Sequence, residues 1–252
     1  MNIFALSDNP IDAARWQHDR HVNKMTVESA QLLSMACLED SFYMNLMADH
    51  HKPLLYAACH ENNPLTNWTK RSPNNFTWLV IHASALVAEK HRRWPNNGMH
   101  KTYPLIAGFQ AAVCRMLGVD RFYTRNESRE LIVDPAIVEY ATLHTPFYQA
   151  MPDEYKDSDA ITAYRDFYLG EKIFQDHVKW TNCDSLTPFL ADYEGTINPD
   201  WSAQKQGKTA HRLIDLLHAH EAGLVAARMP RDPHPDLLKP VNPKAIKRFG
   251  TK

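Results

Sequence analysis

The chain contains no run of about 18 consecutive apolar residues, so nothing in it is expected to cross a membrane as a helix. Its opening residues, MNIFALSDNP, have neither a basic flank nor a long apolar stretch and do not read as a secretory signal. Cysteine is scarce. Cys37, Cys59, Cys114 and Cys183 lie far apart and never form a CxxC pair, which points to reduced thiols in a cytoplasm rather than a disulfide framework or zinc ribbon. Also missing are the GxxxxGK(S/T) phosphate loop, GxGxxG, HExxH and GxSxG. Those absences remove the commonest NTPase, dinucleotide, zinc-protease and hydrolase chemistries.

What is present suits one large domain, or one domain with an appendage. The chain has 252 residues, 44% hydrophobic and 10% aromatic, which is enough to build a substantial core. A formal net charge of −1 hides an asymmetry: residues 201–252 hold ten Lys/Arg against four Asp/Glu, leaving 18 against 25 in the rest. Such a basic end can touch nucleic acid, although charge of that size is common on unrelated tails. Fourteen histidines leave metal binding open through His50, His51 and His60, or through His218 and His220. The last two, however, point about 200° apart on a helix and cannot share an ion there. No metal site and no cofactor are assigned.

Hydrophobic period and capping residues predict a mainly α, multi-helix globular domain with at most a small β element. Residues 1–6 could be a small strand or an extended lead-in. Ser7-Asp8-Asn9-Pro10 starts a helix to about His18, and a second helix follows to about Met47. After a break at His50–Pro53, loop and short helices are expected to Ser72, with Asn62-Asn63-Pro64 as a turn. A long helix then runs from Pro73 to about Trp94, and another from Tyr103 to Leu117, closed by Gly118. RFYTR and ELIVD could each be a short strand. Asp134-Pro135 opens a short helix, and Ser158-Asp159 caps one through Trp180. Beyond an irregular stretch, Thr209–Met229 is helical, and the chain from Pro230 is an arm or tail. The expected division is a core of residues 1–181 and a helical, basic extension of 182–252.

The segment His18–Leu33 has an unusual phase. Val22, Met25, Ser29, Leu32 and Leu33 form a core-facing arc, yet His21, Lys24, Glu28 and Gln31 form a polar row on its edge. One reading makes the row a cleft wall; another makes it a boundary stripe in which Lys24 and Glu28 form a local pair. Two further stretches are dense in polar and aromatic groups: His60–Trp68 with Arg71, and Thr145–Lys156 leading into Tyr164–Lys172. Loops of this composition build binding pockets, and they also turn corners.

Five motifs carry a resemblance. They are MNIFxLxx(D/N)P at Met1–Pro10, DxHVxKMxxE(S/T)AQ(L/M)L at Asp19–Leu33, NPx(S/T)xW at Asn63–Trp68, QAMP(D/E)xYK at Gln149–Lys156, and YRx(F/Y)YxxEK at Tyr164–Lys172. Together they resemble a family of small phage-encoded helical proteins, over residues 1–181. His18 stands where a cysteine is expected, and Asn62 where a histidine is. The activity this resemblance implies is that of phage thymidine-hypermodifying proteins, the amino acid:DNA transferases and putrescinyl-thymine pyrophosphorylases, with a DNA-glycosylase-like helical fold.

That resemblance implies DNA and a small amine or amino acid donor as partners, acting in the host cytoplasm. An amine would replace pyrophosphate on 5-(pyrophosphoryloxymethyl)uracil. It implies catalytic roles for Asp19, His21, Lys24 and Glu28: Lys24, Arg71, Lys156 and Arg165 as cations for the leaving group, and His21, Asp19 or Glu28 as base. Trp68, Tyr148 or Tyr155 would stack the extruded base. Gln31, Asn63, Gln149, Asp153 and Tyr164 complete the expected binding set. A base glycosylase or lyase would use Lys24 as a Schiff-base nucleophile, but Leu117-Gly118-Val119 lacks the second glycine of the usual LPGVG hairpin. A non-catalytic nucleotide- or protein-binding accessory factor would use the same pocket without turnover.

Overall fold

The computed structural model describes residues 1–59, 61–172 and 180–181. Over these residues the chain is mainly helical, with eight α-helices and one two-stranded antiparallel hairpin. No helix of the described residues is long and apolar enough to cross a membrane.

Four of the eight described α-helices begin where a short polar side chain precedes a proline. Helix α1 (Pro10–Arg15) is capped by Asn9, whose Oδ1 accepts the Ile11 N–H at 2.9 Å. It ends before the expected His18, because His18 takes an extended backbone and becomes the residue that starts α2 (Asp19–Glu39). Helix α2 in turn stops short of Met47. Asp40 leaves the helix with extended backbone, and its carboxylate accepts the Phe42 N–H at 2.8 Å, starting α3 (Ser41–Leu46). Asn63 caps α4 (Pro64–Arg71), and Ser72 caps α5 (Pro73–Arg93). Helix α6 (Tyr103–Leu117) is closed by Gly118 in the left-handed region, at φ 67°.

Strands β1 (Tyr123–Arg125) and β2 (Leu131–Val133) pair with Tyr123 opposite Val133. Helix α7 (Pro135–Thr142) follows, and Asp159 caps α8 (Ala160–Phe167). The α-form then widens into a single π turn, Tyr168–Lys172. Of the helix expected through Trp180, residues 173–179 lie outside the described residues. So do the expected helix Thr209–Met229, the tail from Pro230 and the whole extension 182–252.

Helix α5 is the axis of the domain and packs against α1, α2, α4, α6 and α7. Phe76, Trp78, Leu79, Val80, Ile81, Ala83, Leu86 and Val87 are all buried, so its apolar surface runs round the helix rather than along one stripe. Each large side chain of this kind contributes about 1.5–3 kcal/mol by leaving water. Buried polar groups lie along the helix, His82 and Ser84 at its middle and larger clusters at its two ends. Near the start, Asn75 donates to the Trp68 carbonyl at 2.6 Å and accepts the Thr145 N–H at 2.8 Å, tying α4 and the loop after α7 to the axis.

At the other end the Arg93 side chain has no exposed surface. Its guanidinium donates to Asp19 Oδ1 at 3.0 Å, to Glu89 Oε2 at 3.2 Å and to the Arg15 carbonyl at 2.9 Å. One buried group thereby joins the end of α1, the start of α2 and the last turn of α5. Arg93→Met leaves Asp19 and Glu89 without this partner, and the expected loss is about 3–5 kcal/mol, read from the urea unfolding midpoint. A loss below about 1 kcal/mol, the scale of an exposed pair, would show that the cluster does not hold the joint.

Candidate functional site

Three of the four residues in the polar row of α2 line a pocket. A cavity of about 310 Å³ opens beside the first three turns of the helix, walled by His21, Lys24 and Glu28. Arg20 joins them. It stands four residues before Lys24 and therefore on the same face, a relation that the row as drawn from the sequence omits. The opposite wall comes from Phe167 and Lys172, at the end of α8 and the end of the π turn. Met1, Asn2 and Phe4 close the floor.

Residues 1–6 form no regular element; side chains hold them over α2. The Asn2 N–H donates to Glu28 Oε2 at 2.7 Å, and its side-chain amide donates to the Ala150 carbonyl at 2.8 Å. Phe4 sits at φ 44°, a left-handed backbone that costs a non-glycine residue on the order of 1–3 kcal/mol and that persists only where the surroundings enforce it. Here the enforcement is visible. Asn2 Oδ1 accepts the Phe4 N–H at 2.8 Å, and the Phe4 ring stacks on His21 with centroids 4.5 Å apart.

Behind the pocket lies a buried ring cluster. His18 stacks on the other face of His21 at 3.9 Å, so His21 is held between two rings. The Tyr168 hydroxyl accepts the His18 backbone N–H at 2.8 Å and lies 3.0 Å from His21 Nδ1. Neither ring nitrogen of His18 has a hydrogen-bond partner among the described residues. Burial drives both imidazoles well below their usual range, His18 to about 4 and His21 to about 2. For His21 the neighbouring His18, Lys24, Lys172 and Arg20 add to the effect. Both rings are therefore neutral at ordinary pH.

Electrostatically the pocket favours an anion. Arg20, Lys24 and Lys172 face one carboxylate, Glu28, which pairs with Lys24 at 3.2 Å. The Lys24–Glu28 pair expected of a boundary stripe thus exists, and it stands in a cavity wall. The Lys172 amine lies 4.3 Å from the Phe167 ring centre, and burial lowers its pKa, with Glu171 opposing and Lys24 adding to the shift. The volume is at the small end for ligand sites and suits a single base or phosphate-bearing group.

Other expected residues are placed elsewhere. Asp19 has both oxygens engaged, by Arg93 and by the backbone and hydroxyl of Thr181. Gln31 stands half-buried on α2 outside the pocket lining. Asn63 caps α4, buried Trp68 donates to the Thr145 carbonyl at 3.2 Å, and Arg71 is exposed at the end of α4. Gln149 accepts the Asp157 N–H at 3.0 Å, and Asp153 pairs with Lys156 at 2.6 Å on the surface. Tyr164 is buried and donates to the Tyr148 carbonyl at 2.7 Å. Arg165 donates to the Leu6 carbonyl at 2.8 Å and lies over the Trp16 ring. Tyr155 comes nearest the pocket, its hydroxyl on Glu171 at 3.2 Å and its ring against Phe167. The three stretches therefore do not share one pocket. A second, more open hollow near Asn63 is lined by Ala58, Cys59, Glu61 and Asn62.

No family model, curated protein or solved structure matches the chain. Asn2, Phe4, Phe167, Tyr168 and Lys172 are the wall and support residues that helical phase does not reveal. They do fall inside the first and last of the five motifs, the signal that could have found them.

The buried histidines give stability a defined pH dependence. In the unfolded chain they take up protons near pH 6.5, whereas His18, His21 and His82, the last held at about 3 by burial, stay neutral in the fold. The unfolded state then binds more protons, so stability falls as pH drops below about 6.5, by up to about 1.4 kcal/mol per pH unit for each ring. Urea midpoints should be level between about pH 7 and 8 on this account and should decline towards pH 4.5. His82→Gln should make the decline shallower; an unchanged slope would show that this ring protonates without unfolding.

Proposed function

We propose that the protein is a phage DNA-modifying enzyme that transfers an amine or amino acid onto 5-(pyrophosphoryloxymethyl)uracil in DNA, with release of pyrophosphate. The observation that carries the reading is the pairing, in one small cavity, of ring walls with three cations and a single carboxylate. The five motifs supply the reaction, and the pocket supplies groups that suit it. A cavity of about 310 Å³ takes one base, so the target nucleotide must leave the stack.

The chemistry balances in one displacement. A C–N bond forms at the exocyclic methylene as its C–O bond breaks, pyrophosphate departs with the electron pair, and the amine gives up a proton. Arg20, Lys24 and Lys172 are the cations for the departing pyrophosphate. Arg71, Lys156 and Arg165, the other cations the resemblance implies, are not in this wall. Among the three expected bases, Asp19 does not line the pocket, and His21 holds its imidazole too low to take a proton at neutral pH. Glu28, with one oxygen accepting the Asn2 N–H and the other paired with Lys24, is the carboxylate in the pocket wall and is assigned that role.

Lys172 favours a second reading, a base glycosylase or lyase. Its lowered pKa and its place in the pocket wall suit an amine that forms a Schiff base, more so than Lys24, whose amine is paired with Glu28.

Incubation with DNA carrying pyrophosphorylated hydroxymethyluracil and a panel of amines distinguishes these readings. The transferase releases pyrophosphate and adds the amine's mass to the nucleoside, and Lys24→Ala or Glu28→Gln lowers the rate on the order of 100-fold. No mass gain with any amine or amino acid would sink it. Abasic sites, with borohydride trapping of a lysine on DNA, would establish the glycosylase instead. Retention of a nucleotide with unchanged DNA would mean a binding factor.

A further inference from the structure

We propose that Lys172 is a carbonyl-reactive lysine, and that its cavity takes a small aldehyde bearing a phosphate monoester, held as an imine to Lys172 with the phosphate against Arg20 and Lys24. The inference rests on the geometry of the cavity and is independent of the amine transfer proposed above.

Three observations carry it. First, the Lys172 amine lines the cavity and makes no ion pair among the described residues. Of the carboxylates near it, Glu28 pairs with Lys24 and accepts the Asn2 N–H, and Glu171 accepts the Tyr155 hydroxyl. Second, the amine is held over a ring, 4.3 Å from the Phe167 centre, at the end of the π turn. A protonated imine is a cation like the ammonium it replaces, so the same ring face stabilises the product. Burial also lowers the pKa of this amine, with Glu171 opposing and Lys24 adding, which enlarges its neutral, nucleophilic fraction. Third, charge for a phosphate stands on the opposite wall. Arg20 makes no ion pair among the described residues, and Lys24 shares the cavity's one carboxylate.

Position singles Lys172 out among the lysines. Burial lowers Lys90 too, but its amine donates to the Gly98 carbonyl at 3.1 Å and does not line the cavity. Lys24 lines the cavity and is tied to Glu28 at 3.2 Å. The step needs no oxidant or reductant. The neutral amine forms a C–N bond to the carbonyl carbon, the carbonyl oxygen leaves as water with both amine hydrogens, and the imine nitrogen takes up one proton. A phosphate monoester carries about −1.5 to −2 charges at neutral pH and suits the two facing cations. A DNA strand offers singly charged diesters, and a cavity of about 310 Å³ is the size of one small ligand. Both favour a free phosphorylated aldehyde over an abasic sugar in DNA.

Pyridoxal phosphate is the probe. Incubated with the full chain and reduced with borohydride, it is expected to leave a single pyridoxyl group, mapped by peptide mass spectrometry to Lys172. Pyridoxal without the phosphate should require a concentration higher by about tenfold or more, the scale of one charged hydrogen bond. Inorganic phosphate should protect, and Arg20→Ala should weaken the reaction by about tenfold. Lys172→Arg keeps the charge and should abolish the adduct. Labelling spread over surface lysines, or equal reaction with and without the phosphate, overturns the inference. Borohydride trapping on an abasic-site oligonucleotide, with none by pyridoxal phosphate, overturns the small ligand and supports the lyase instead. Pyrophosphate release without any adduct defeats this inference alone, and an adduct without pyrophosphate release defeats the transferase alone. If Lys172→Arg does not fold, the site mapped in the wild-type protein still decides.

Discussion

The structure depends on a buried guanidinium. Arg93 ends the central helix with no exposed surface, and from there it holds the carbonyl that ends α1, the carboxylate that begins α2 and a carboxylate of its own helix. Buried ion pairs contribute little net stability relative to well-packed apolar groups, because desolvation offsets the attraction. Their effect is on geometry. A planar fork that must satisfy partners on three segments admits one arrangement of those segments. The start of α2 is fixed in this way, and with it the position of His18 and His21 just above.

Around that fixed start the site is assembled from distant parts of the chain. Residues 1–4 bring the floor, α2 the cationic row, and the turn after α8 the far wall. The Tyr168 hydroxyl bonds across 150 residues to His18, and Glu28 receives a backbone N–H from Asn2. The turn that delivers Tyr168 and Lys172 is a π turn, a widening that adds a residue to the helical circuit and shifts the side chains after it. Phe4 is held in a left-handed backbone at the same place. The π turn and one of the two left-handed non-glycine residues among the described residues, the other being Arg129 in the hairpin, thus meet at one cavity.

Most of the architecture was legible in the sequence, because its punctuation is local. Asn9, Asn63, Ser72, Asp134 and Asp159 each stand before a helix and cap it, and Gly118 ends α6 in the conformation a glycine accepts most readily. The errors also have local causes. Asp40 competes for the helix backbone with its own carboxylate and breaks what periodicity alone would continue. The site was legible only in part. Helical phase exposes His21, Lys24 and Glu28 because it compares residues on one helix. Which segment covers that helix is a tertiary fact, so Phe4, Phe167 and Lys172 escape it. Composition misleads in the opposite direction: Trp68, Gln149, Tyr164 and Arg165 are rich in hydrogen-bonding capacity, and the fold uses it to fasten loops.

Helix α2 has one more property, a mechanical one. Asn2 is fastened to it through Glu28, and Thr181 through Asp19, near the two limits of the described chain. The two anchor points are nine residue steps apart along the helix, a rise of about 13.5 Å. Both segments therefore pull on the same short rod, whose side chains are the pocket wall. The row of Arg20, Lys24 and Glu28 thus lies on the stretch of α2 to which both segments are bonded.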